Sequence, residues 1–322
     1  MEIEQVAVTS CETEQLTSNK NKGAMSNKRA ERIFLFLMLS LPVLQWLIFW
    51  LYVHLDSFLL AFQDKRTGEL TFQNFEKFWE MLTSPKGEIK IALKNTLIYF
   101  STEIIILLPV SLLLSYFLYK KIFMYKVFRV IFYLPAIVSS MVMVETYTSF
   151  ISPNGPIAKL ISLFGGAIPP QGLLANSNTA TTTIVVYCIW TGFCGNVLLF
   201  GSAMARVPME ILESARLEGC GPFRELVQLI LPLIWPTMST QIIFTCTGIF
   251  NSSGPILLFT NGAYETETLS FWIFAQIYGG GKYGGSGNYN IVSATGLCFT
   301  LVGAPLILFI RWLFDKIPTV EY

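Results

Sequence analysis

Four acids and a set of prolines and glycines that punctuate helices are gathered in Val207–Pro236, between closely flanking apolar runs. Glu210, Glu213 and Glu218 can accept charge-assisted hydrogen bonds, and no histidine or nucleophile motif accompanies them. Their chemistry is therefore recognition of a basic or N–H-bearing partner. Pro208 can open a helix at its first position. Ile211, Leu212 and Ala215 then fall on one side, with the acids elsewhere around the turn. Gly219 can end that helix, because glycine takes the positive φ of a C-terminal cap. Pro222 can begin a second helix leading into Leu226–Ile234. The expectation is helix, glycine turn, helix, set where a partner could grip it. An ordinary amphipathic loop between two membrane helices would carry the same composition.

Other polar residues sit inside apolar runs. Glu103 and Glu145 are intramembrane acids by position, costly unless they face a cavity or a partner. Asn196 and Asn251 can face the same pathway or bond between helices. These four are the candidate solute-pathway residues; placement at the membrane interface is the alternative for both acids. Catalytic assemblies are missing. His54 is the single histidine, and neither H-E-x-x-H nor G-x-S-x-G occurs. Gly279-Gly280-Gly281-Lys282-Tyr283 lacks the spaced glycine and following Ser/Thr of a phosphate-binding loop. The six cysteines form no C-x-x-C pair and read as small buried hydrophobes, so neither metal nor disulfide framework is expected.

The elements that must position these residues are membrane helices. Hydrophobic residues make up 53% of the chain and charged ones 13%, and the mean hydropathy is +0.55. A net charge of +1 argues against nucleic acid as a partner. Residues 1–31 form a polar tail expected to be disordered and cytoplasmic. The first span, within 32–55, is long enough to cross a bilayer and lacks the short apolar core and cleavage site of a secretory signal. Residues 56–94 form a polar outer loop with six acids and six bases. Further spans are expected at Leu97–Tyr119, Val130–Ile151, Thr181–Ala205, Leu229–Phe250 and Asn290–Trp312. Between them lie a basic link, a Gly/Pro/Ser/Asn-rich loop with a short helix at Ile157–Phe164, and the glycine-rich link Asn251–Tyr289. Lys120, Lys121, Lys126 and Arg129 crowd the link after the second span, whereas the loops after the third and fifth carry only Lys159 and Lys282. The positive-inside rule then places both termini in the cytoplasm, together with the acidic turn at 206–228.

The spacing Glu213-Ser214-Ala215, three residues, Gly219, nine residues, Leu229, one residue, Leu231-Pro232 resembles the EAA loop of bacterial ABC-importer permeases. Ser214 and Leu229 are mild departures from that pattern. Phe128–Pro135, Trp190-Thr191-Gly192-Phe193 and Gly254-Pro255 look like further landmarks of the sugar and glycerol-phosphate branch. The resemblance implies an all-α integral membrane protein of six transmembrane helices, with a five-helix core at 95–322 and a cytoplasmic coupling loop between the fourth and fifth. It implies an import permease in a bacterial cell membrane, surrounded by lipid, with a carbohydrate as solute. It also implies partners: cytoplasmic ATPase subunits carrying ATP and Mg, a second permease in a heterodimer, and an external solute-binding protein. This chain itself would bind no cofactor. Pro208, Glu210, Glu213, Ser214, Ala215, Glu218, Gly219, Leu229, Leu231 and Pro232 would form the ATPase-coupling element. An ion-coupled secondary transporter is the rival reading, although no internal repeat is evident. A non-sugar solute is the other alternative.

Overall fold

The computed structural model describes residues 30–85, 87–166, 168–250, 254–279 and 287–317. Nearly all of the expected N-terminal tail lies outside them. Among the described residues the secondary structure is helical, apart from an isolated bridge pairing Gln63 with Leu70. The chain divides into two compact units, Met1–Leu59 and Leu60–Tyr322.

The first unit is dominated by α1, Ala30–Ala61. Its apolar window buries nothing, and Phe36 (74% exposed) and Leu41 (71%) project outward. Such a surface is stable only against lipid or another chain.

The second unit begins with α2 (Gln73–Thr83), inside the segment expected as an outer loop. Apolar residues at helical spacing let α2 bury Phe78 against Ile89, Leu269 and Trp272. The carboxamide nitrogens of Asn74 and Asn290 both donate to the Gln63 carbonyl, at 2.9 and 2.8 Å. Next comes α3, Glu88–Tyr119, starting earlier than the apolar run at Leu97 suggests. Its middle turn, Glu103–Leu107, is π-helical, with the Leu108 N–H donating to Glu103 O. Pro109 has no N–H to offer the preceding turn, and the helix widens just before it.

The expected third span is two helices, α4 (Tyr125–Ile137) and α5 (Ser140–Ile151). The chain bends by 110° at this break, where Val138 and Ser139 are extended. A short α6, Pro156–Leu163, follows close to its expected place. The fourth span is α7, Ala180–Met204, one residue from expectation at either end. It approaches the π turn of α3 closely at Gly192, where an added Cβ would lie 2.7 Å from Leu107 Cδ2.

After the acidic helix α8 (Met209–Leu217), the fifth span is also broken. It comprises α9, Pro222–Leu233, and α10, Trp235–Gly248, meeting at 75°. Pro236 stands in the first turn of α10, where its missing N–H breaks the ladder across the junction. A second correction concerns the link 251–289. It contains α11, Leu269–Tyr278, whose Phe271 and Trp272 are completely buried. The closing helix is α12, Tyr289–Asp315. Among the described residues, four helices are long and apolar enough to cross a membrane, or up to six if each bent pair counts as one span.

Candidate functional site

The acidic helix α8 has two distinct faces. Leu212 has no exposed surface, Ala215 is buried and Ile211 half-buried, while Glu210, Glu213, Ser214 and Glu218 are exposed. Leu212 packs in a core cluster with Tyr116, Phe200, Met204, Leu226 and Ile230, so the helix is seated on the bundle. Pro208 stands immediately before the first helical residue. The Ser214 hydroxyl donates to Glu210 O (2.9 Å), leaving the carboxylates as the outward recognition groups. Gly219 adopts φ +79°, and the Cys220 N–H donates to Ala215 O at 3.0 Å, the six-to-one closure of a glycine-terminated helix. An added Cβ there would meet nothing within 4 Å, so the demand for glycine is conformational. Leu217 was not anticipated. It is 90% exposed and lies four residues beyond Glu213, on the same face. Its signal in the sequence is an apolar residue out of phase with Leu212 and Ala215.

A polar clamp ties the next helix to α3. Lys120 Nζ, at the end of α3, lies 2.7 Å from each carboxylate oxygen of Glu225. Glu225 is 2% exposed and Lys120 23%. The Tyr116 hydroxyl donates to Pro222 O at 3.0 Å, and the Lys120 ammonium stands 5.6 Å from the Tyr116 ring centroid. The carboxylate sits near the start of α9, where the helix dipole favours negative charge. Neither partner was among the expected site residues; the signal is one acid opening an apolar run. Leu229, Leu231 and Pro232 lie further along α9, half-buried. Glu225–Ile230 is again π-helical and again followed by Leu-Pro, with the Leu231 N–H donating to Leu226 O.

The solute-pathway candidates are not brought together. Glu103, first residue of the π turn in α3, accepts a hydrogen bond from Thr245 Oγ1 of α10 at 3.2 Å. Both line a cavity of about 260 Å³ with Thr96, Tyr99, Gln241 and Phe244. The Tyr99 hydroxyl is buried with no partner among the described residues. Carboxylate, hydroxyl and amide groups beside aromatic rings suit a polyhydroxylated ligand. Glu145 is exposed on α5 and Asn196 is buried on α7; neither lines this cavity. Asn251 lies outside the described residues.

Residues 95–318 match the family described as binding-protein-dependent transport system inner membrane component. The chain belongs to this family. It is thus an inner-membrane transport component of the ABC permease kind, and membership displaces the ion-coupled alternative. Among curated relatives, the arabinooligosaccharides transport system permease protein AraP of Bacillus subtilis is 29% identical over 210 residues, covering 65% of this chain and 66% of AraP. Protein LplB of the same organism is 27% identical over 310 residues, 94% of either chain. The fold is similar to that of a bacterial alginate ABC transporter solved in complex with an alginate pentasaccharide-bound periplasmic protein. That similarity has a TM-score of 0.76 and 21% identity, over 92% of this chain and 99% of the other.

Proposed function

We propose that this inner-membrane component is one permease subunit of an ATP-driven importer for a mono- or oligosaccharide, with α8 as its mechanical link to a separate ATPase. In this reading each bent pair is one span, giving six, and both termini and the α8 turn are cytoplasmic. The ATPase subunits hold ATP and Mg, a second and related permease completes the pore, and an external binding protein delivers the solute. The observation that carries it is α8 itself: an exposed acidic face on a helix whose opposite face packs into the core through Leu212 and Ala215. Alternating access requires the halves of a pore to rock, and force from outside the membrane needs a stiff handle to cause that. A helix buried at Leu212 and closed at Gly219 is such a handle. Glu213 offers a carboxylate to a basic or N–H group of the ATPase, and Leu217 an apolar knob beside it.

The carbohydrate assignment is supported by the cavity at Glu103 and by the relatives, since AraP is named for arabinooligosaccharides and the solved neighbour carries alginate. Deleting the gene is expected to abolish uptake of one or a few carbohydrates while amino acids and metal ions still enter. Restoring the chain as Glu103→Gln, at normal abundance, should raise the solute concentration needed for half-maximal uptake. Loss of an amino acid or metal with every carbohydrate entering normally would overturn the assignment.

A further inference from the structure

A second cavity, of about 510 Å³, lies at the end of the bundle that carries α8, between the end of α3, the start of α4 and the end of α7. Lys121 and Arg129 line it together with Tyr133, and among the described residues no carboxylate does. The contrast with the adjacent Lys120, neutralised by Glu225, is direct. Arg129 makes a cation–π approach to Tyr125, 5.9 Å from the ring centroid, which leaves its N–H groups open to an anion. Lys121 has φ +52° and Met124 φ +60°, so the turn that presents the two cations holds a left-handed conformation at two non-glycine positions.

Beyond the cations the wall is mainly apolar, with Leu118, Val197 and Leu198 beside the hydroxyls of Ser115 and Ser202. Lys121, Arg129 and Leu198 are all exposed, so the cavity opens on the surface of the chain. Two cations and a phenol at the end of a helix bundle, continuing into a hydrocarbon wall, have the polarity profile of a phospholipid. A soluble phosphate would engage the cations alone and leave the wall unused.

We infer that this cavity is a binding site for the phosphate of an anionic phospholipid, whose headgroup pairs with Lys121 and Arg129 while an acyl chain lies along α7. Basic pockets between membrane helices on the cytoplasmic side bind such headgroups, and each cation near the surface strengthens binding about fivefold. Val207 and Met209 also line the cavity, so an occupying lipid would border the segment leading into α8. Placing it in the cytoplasmic leaflet rests on the topology proposed above; the pairing chemistry does not.

The test uses the purified full-length chain, delipidated and titrated with phosphatidylglycerol or phosphatidylcholine, with bound lipid counted by native mass spectrometry. The wild-type chain should retain one phosphatidylglycerol more than the Lys121→Gln/Arg129→Gln variant, whose affinity for that molecule should fall about 25-fold, fivefold per cation. Lys121→Arg should keep the site, and phosphatidylcholine should show no difference. Inorganic phosphate at millimolar concentration should not displace the lipid; displacement would assign the site to a soluble anion and overturn the lipid inference. Equal phosphatidylglycerol retention by the wild type and the double variant would overturn it outright. Neither transport nor sidedness enters the readout, so failure here leaves the importer reading standing.

Discussion

Gly219 is the residue on which the acidic turn depends. The left-handed backbone it adopts costs an ordinary L-residue roughly 1–2 kcal/mol, and a β-branched residue more. Open space around it means that a substituted side chain would not clash, so the penalty falls on the path of the chain after α8. Gly219→Val should leave the chain in the membrane at near-normal abundance yet give poor ATPase retention or uncoupled hydrolysis. Glu213→Ala should act more gently, because it removes one charge-assisted bond from an exposed position and disturbs no packing. Pull-down of the ATPase and uptake in vesicles measure both effects. Normal transport by the valine variant, at normal abundance, would show that α8 does not couple the two proteins.

Among the elements, α3 and α9 share a construction in which a π turn precedes Leu-Pro, at Leu108-Pro109 and at Leu231-Pro232. The widened turns place Glu103 in the polar cleft and Glu225 against Lys120. Removing one partner of a buried ion pair leaves the other charge uncompensated, at a cost of roughly 3–5 kcal/mol. Lys120→Ala should fall near the upper end, since the Glu225 carboxylate that loses its cation has almost no access to water. Lys120→Met/Glu225→Leu should recover most of the loss, because an apolar pair of similar volume needs no desolvation of charge. Thermal unfolding of the purified chain in detergent distinguishes them; an unchanged midpoint for Lys120→Ala would mean that the pair holds nothing. These details explain what was legible in the sequence. Long apolar periods located α1, α7 and α12, and Gly219 announced its turn, because both signals are local. The breaks at Val138-Ser139 and Ile234 were hidden inside continuous apolar runs, where hydropathy does not register a change of direction. Helix α11 was hidden by the glycines around it, although Phe271 and Trp272 fill the core. The clamp of Lys120 with Glu225 joins residues 105 positions apart, a pairing that no local pattern encodes.

For the whole molecule, the decisive property is which end of the bundle faces the cytoplasm. The turn after α3 and the α8 turn lie at one end, because Lys120 reaches Glu225 and Tyr116 reaches Pro222. The opposite end carries the start of α3, where Asn95 Nδ2 donates to Glu265 O and Glu267 O at 2.6 and 2.9 Å. Residues 171–175, before α7, border the cavity that also contains Tyr264, so they belong with that opposite end. Lys120, Lys121, Lys126 and Arg129 all fall at or just beyond the first end, which the positive-inside rule assigns to the cytoplasm. One measurement therefore fixes the sidedness of the turn after α3 and of α8 together. Single cysteines at Lys121 and Ser177, both exposed positions, are placed in a chain otherwise free of cysteine. In intact cells an impermeant thiol reagent should label Ser177→Cys and spare Lys121→Cys, with the latter reacting only after permeabilisation. The reverse pattern would put α8 outside the cell, out of reach of any ATP-hydrolysing partner, and the coupling mechanism would fall with it.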